Sequence, residues 1–200
     1  KAIFSLDLVR QHNPAILLGQ NLFVMLAYFT FTTTSTLYIT RQLGLTIAQI
    51  GWVYSLIGLV NLLLRLTVFP WVLGKLQDRK TYRLGLGVYL LAFSWLAIAT
   101  HTWEFMAISV LISFGTSSSL DVSTGIMSRS VRKHEMGEMI GLNSSVESAA
   151  LIFGPMIGSY LLALPGIAYY GLWALACTLI AFMIGRKPLR EVEEEARQVE

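Results

Sequence analysis

Charge is scarce in this chain and cysteine nearly absent. Asp, Glu, Lys and Arg make up 14% of the 200 residues, against about 25% in soluble domains, so the polar coat of a water-soluble domain is missing. A single cysteine, Cys177, set in an apolar run, excludes a disulfide scaffold. His12, His101 and His134 stand without metal-ligand spacing, and no metal or cofactor is expected. No G-x-S-x-G frames a serine, and Thr116-Ser117-Ser118-Ser119 has no base at helical spacing, which argues against a hydrolase. The net charge of +3 is too small and too scattered for a nucleic-acid module. What fills the chain instead is hydrophobic residues, 54% of it, with 16 glycines besides. That composition, at a mean hydropathy of +0.61, is that of an integral membrane chain. No signal peptide is expected in its first residues. It begins at Lys1 rather than Met and is expected to be a piece of something longer.

A membrane-crossing helix needs about 20 mostly apolar residues. Six stretches supply them: Pro14–Thr40, Ile47–Leu73, Leu84–Thr100, Phe105–Met127, Met139–Leu164 and Ile167–Gly185. Lipid cannot satisfy a bare backbone, and no alternating barrel pattern is present, so the fold class is all-α with six transmembrane helices. The expected organisation is a cytoplasmic linker over 1–13, the bundle over 14–185 and a charged cytoplasmic tail over 186–200. Thirteen basic residues fall at the two ends and in the loops after the second and fourth spans, whereas Arg41 alone lies on the other side. Basic loops stay inside, so both termini are expected in the cytoplasm.

Four spans carry polar stripes. Asn21, Tyr28, Thr32, Ser35 and Thr36 share an arc of the first, and Gly51, Ser55, Gly58, Asn61 and Arg65 one of the second. Ser109, Ser113, Ser117, Asp121, Thr124 and Ser128 share an arc of the fourth; Asn143, Ser144, Glu147, Gly154, Pro155 and Gly158 group on the fifth. A helix meeting only lipid and apolar neighbours has no use for such a stripe, although small polar residues also serve close packing. The third and sixth spans have none. The order wet, wet, dry, repeated, reads as two inverted three-helix units, the plan of many secondary transporters.

Arg65, Asp121 and Glu147 are the formal charges within the spans. Each costs about 2.5–3.5 kcal/mol at a helix centre, so each needs a partner or water. Counting at 1.5 Å per residue places all three roughly 10–14 Å from the cytoplasmic end, one shared polar layer. In the fifth span Gly154-Pro155 removes a backbone hydrogen bond and permits close approach, which allows either a moving bend or a fixed kink.

Gly74-Lys75-Leu76-Gln77-Asp78-Arg79-Lys80-Thr81-Tyr82-Arg83 stands between the second and third spans. It resembles the G-x-L-x-D-R-x-G-R-R signature of major facilitator transporters, with Thr81 in place of a Gly and Tyr82 in place of a basic residue. Ser128-Arg129-Ser130-Val131, Gly137, Gly141 and Ile152-Phe153-Gly154-Pro155-Met156-Ile157-Gly158 look like the tenth-to-eleventh helix region of tetracycline-type drug–proton antiporters. Asp121 departs from that pattern, which usually has Pro. The resemblance implies the carboxy-terminal half, helices seven to twelve, of a twelve-helix fold, and makes Gly74, Asp78, Arg79 and Arg83 a gating loop.

The implied function is proton-coupled export of a small, partly apolar organic compound. Asn21, Tyr28, Thr32, Asn61, Ser117 and Asn143 are the expected cavity lining, and Asp121 and Glu147, with Arg65 nearby, the coupling candidates. The implied partners are the amino-terminal half, the bilayer, substrate and protons. Metabolite uptake, or a non-transporting scaffold or sensor on the same fold, are the alternatives.

Overall fold

Two of the helices open on capping boxes. Thr46 and Gln49 form a reciprocal capping box, Thr46 N–H donating to Gln49 Oε1 at 2.9 Å, and this opens α2, Ile47–Lys75. The backbone N–H groups of Thr100 and His101 donate to Glu104 at 2.7 and 2.8 Å and open α4, Thr102–Thr116. A computed structural model describes residues 12–76, 78–130, 136–164 and 168–185. Before α2 comes α1, His12–Tyr38, extended by a π-helical turn, Ile39–Leu43, and closed by Gly44 at φ +62°, a left-handed position that suits glycine. α3 is Asp78–Leu96. α4 runs through a second π-helical turn, Ser117–Asp121, into α5, Val122–Ser130. α6 is Met136–Ala163 and α7 Ala168–Ile184.

The described residues thus form six membrane helices, α4 and α5 counting as one. Four are long and apolar enough to cross a membrane, while α7 is a shorter apolar helix. α3 differs from expectation at both ends. It starts six residues before Leu84 because its first turns, with Asp78, Lys80 and Arg83, are helical though polar, and it ends at Leu96 rather than Thr100. An apolar run marks only the part of a helix inside lipid, and an acidic residue in the first turn favours starting earlier. Consequently much of the expected gating loop is helix: Gly74 lies in the last turn of α2, and Asp78, Arg79 and Arg83 lie on α3. Residues 1–11, 77, 131–135, 165–167 and 186–200 and the side chains of 12–15, 73, 78, 79 and 128–130, Asp78 and Arg79 of the expected gating loop among them, fall outside the described residues.

Contacts fix the directions. Asn21 meets Asn143, and further along Thr30 and Thr34 meet Gly154 and Gly158, so α1 and α6 run parallel. Gln20 meets Ala181 while Thr34 meets Tyr170, so α1 and α7 run antiparallel. Between them lies an aromatic core. Phe31, Phe105, Tyr38 and Tyr170 stack in succession at centroid spacings of 5.8, 5.7 and 5.6 Å. α7 is pinned to α1 by Gln20 Nε2 donating to Ala181 O at 3.0 Å. α2 is the least buried partner: Trp52, Leu59, Leu62, Leu63, Leu66 and Trp71 are all exposed along it. Such a face belongs in lipid or against another apolar surface.

Candidate functional site

Serine and threonine hydroxyls along α1 mostly bond back to their own helix, as Thr32 does to Tyr28 O at 3.0 Å. Such groups are satisfied locally and need no ligand. Arg65 on α2 is different, because its own helix offers a cation nothing. Its Nη2 donates to Asp121 Oδ2 at 2.6 Å, and its Nε donates to Ser117 Oγ at 2.9 Å. The π-helical turn Ser117–Asp121 thus presents both acceptors to one guanidinium. The two side chains are 61% and 49% exposed, which places the pair at an open wall rather than in the core.

Beside the pair is a cavity of about 250 Å³ between α1, α2 and α4. Tyr28, Asn61, Arg65, Ser113 and Ser117 give it polar lining; Leu62, Phe69 and Phe114 give it apolar lining. Asn61 Oδ1 is buried and accepts no hydrogen bond from the described residues. An unfilled buried acceptor is costly unless something fills it.

The stripes read from sequence therefore converge only in part. Tyr28, Asn61 and Ser117 line this cavity. Asn21 and Asn143 do not: both are buried in a separate knot. There Asn21 Nδ2 donates to Asn143 Oδ1 at 2.9 Å and Ser123 Oγ donates to Asn21 Oδ1 at 2.8 Å, joining α1, α5 and α6. Two amides paired in the interior satisfy each other, so periodicity puts them on an inner face without making that face wet. Thr32 is exposed on α1, outside the cavity lining. The expected three-charge layer is a two-charge pair: Glu147, one turn beyond Asn143, has no ion-pair or hydrogen-bond partner among the described residues. α6 passes through Pro155 without interruption. At Gly154 an added Cβ would stand 3.0 Å from Thr30 N, so this glycine serves the close seating of α6 on α1.

Sequence reading missed Phe69, Phe114, Thr116 and Tyr89. Tyr89, on the apparently dry third span, is fully buried and its hydroxyl meets Thr116 Oγ1 at 2.7 Å. One hydroxyl among apolar residues gives no periodic signal.

Residues 17–199 match the Major Facilitator Superfamily, nearly the whole chain. The chain belongs to this superfamily. Multidrug resistance protein MdtH of Photorhabdus laumondii is 27% identical over 150 residues, covering 73% of this chain and 36% of that protein. MdtH of Edwardsiella ictaluri is 27% identical over 173 residues, covering 86% and 42%. Solute carrier family 22 member 18 of Mus musculus is 22% identical over 151 residues, covering 75% and 37%. The chain spans less than half the length of these relatives. A bacterial homologue of the iron transporter ferroportin, solved in an inward-facing state, shares the fold at a TM-score of 0.70 and 18% identity. That match covers 86% of this chain and 44% of the solved one. The facilitator match and the apolar helices together make this an integral membrane chain.

Proposed function

We propose that this chain is the carboxy-terminal half of a proton-coupled secondary transporter that exports small organic compounds. The carrying observation is the Arg65–Asp121 pair beside a polar-and-aromatic cavity. Protonation and ion pairing are mutually exclusive states of one carboxylate, so a change in the separation of α2 from the π-helical turn exchanges Arg65 for a proton. Asn61 Oδ1 offers a hydrogen-bond acceptor to a substrate held against Phe69 and Phe114. The multidrug names of two relatives, and the fraction of each that this chain spans, support export and a missing amino-terminal half. In this reading Glu147 is a secondary candidate.

The test is the full-length protein in vesicles with ethidium as probe. An imposed pH gradient should drive its accumulation, and collapse of the gradient should stop it. Uptake indifferent to the gradient with this and a panel of anionic and neutral dyes would remove proton coupling. Orientation is tested separately. With buried Cys177 replaced by alanine, cysteines at Thr102 and Lys80 should label from opposite sides of intact cells, Thr102 from outside, because the basic residues gather on the Lys80 side. External labelling at Lys80 would reverse the topology.

A further inference from the structure

The grip of Arg65 on two acceptors depends on the π-helical turn, and that turn packs chiefly on α3. A π turn inserts one residue into a helix, so everything beyond it is rotated by roughly 100° relative to a straight continuation. Here the inserted turn lets one helix aim Ser117 and Asp121 at Arg65 and also aim Ser123 at Asn21. Two features of α3 meet it. An added Cβ on Gly85 would lie 2.9 Å from Ser118 C and Ser119 N, so the two backbones touch where no other residue fits. Four residues on, the hydroxyl of Tyr89 reaches Thr116 Oγ1 at 2.7 Å, at the start of the turn. Thr116 donates its own proton to Ile112 O at 2.8 Å, so Tyr89 is the donor of that bond.

We infer that Gly85, Tyr89 and Thr116 are positioning residues, a ledge on α3 and α4 that holds the π turn and thereby the reach of Arg65 to Asp121. The inference rests on the coupling role given to that pair. The third span, which carries no polar stripe, acts on the site from behind without touching the cavity. Around Asp121 the charged and titratable groups are Arg65 from α2, Tyr28 from α1 and Tyr89 from α3. Tyr89 does not ion-pair with Asp121, and its route to the pair is through Thr116 and the turn.

The experiment needs no substrate. In the purified full-length protein, the carboxyl stretch of Asp121, assigned by its loss in Asp121→Asn, is titrated by infrared difference spectroscopy alongside thermal melting. Arg65→Gln sets the value for a carboxylate without its cation. Tyr89→Phe and Thr116→Val should each move the midpoint toward that value by about one pH unit, a tenfold change in proton affinity. Their double variant should move it no further, and Thr116→Ser, which keeps the hydroxyl, should stay at wild type. A packing role alone would lower the melting temperature and leave the midpoint in place. An unmoved midpoint in both Tyr89→Phe and Thr116→Val overturns the ledge, as does an equal shift in Thr116→Ser. If Arg65→Gln itself leaves the midpoint unmoved, the pair is not the coupling element and the broader reading falls with the inference.

Discussion

Leucine at Gly158 should keep α6 from seating on α1 and lower stability by about 3 kcal/mol, at the upper end of overpacking costs. The space is already taken. A Cβ there would stand 2.6 Å from Thr34 Oγ1 and 2.9 Å from Thr34 Cγ2. Thr34 cannot swing away cheaply, because its hydroxyl donates to Thr30 O at 2.6 Å and meets Tyr170 OH at 2.9 Å. Displacing it therefore loosens α7 as well as α6. Against a total stability of order 5–15 kcal/mol this is a large fraction. Thermal melting in detergent, with yield of folded monomer, measures it. Gly158→Ala should cost less because it adds only the Cβ, although that atom alone, 2.6 Å from Thr34 Oγ1, already forces Thr34 to shift. Pro155→Ala should change little if the glycines are there for packing. A wild-type melting temperature for Gly158→Leu would show that α6 does not lie against α1 in this way.

The same helix shows what a sequence discloses and what it withholds. Run length located the spans because lipid thickness is a one-dimensional constraint that a chain meets residue by residue. Arg65 and Asp121 stood out for the same reason: a charge in an apolar run is expensive wherever it sits. Their pairing was not legible, since depth counting gave Glu147 equal standing and only the packing of α2 on α4 selects Asp121. Periodicity grouped Asn21 and Asn143 with the cavity lining, but it does not say whether a polar face meets a cavity or another amide. The π-helical turn has no sequence signature here; Gly85 and Tyr89, which lie against Ser118 and Thr116, stand roughly thirty residues earlier in the chain, beyond the reach of local pattern. The early start of α3 was hidden because its polar turns lie outside any apolar run, in a stretch that reads equally well as loop.

Asp121→Asn should reduce pH-gradient-driven flux at least tenfold while leaving substrate exchange without a gradient, and the fold, nearly intact. The two effects separate because of where the pair sits. With side chains 61% and 49% exposed, it is closer to a solvated ion pair than a buried one, and such pairs contribute about 0–1 kcal/mol to stability. A tenfold loss of flux corresponds to about 1.4 kcal/mol at the barrier, so an element nearly silent in melting experiments can still dominate transport. Arg65→Gln should also uncouple the protein, but by the opposite route: the carboxylate remains and is no longer contested by a cation. The double variant, Arg65→Gln with Asp121→Asn, is the informative one. Removing both charges relieves any unpaired-charge penalty, so its melting temperature should return to within a few degrees of wild type, and its gradient-driven flux should stay as low as that of Asp121→Asn. Proteoliposomes of the full-length protein, with flux measured with and without an imposed gradient, give both readings on one sample. Restored flux in the double variant would mean that Arg65 and Asp121 are a structural tie between α2 and the π turn, and that the proton is carried elsewhere, with Glu147 the next residue to change.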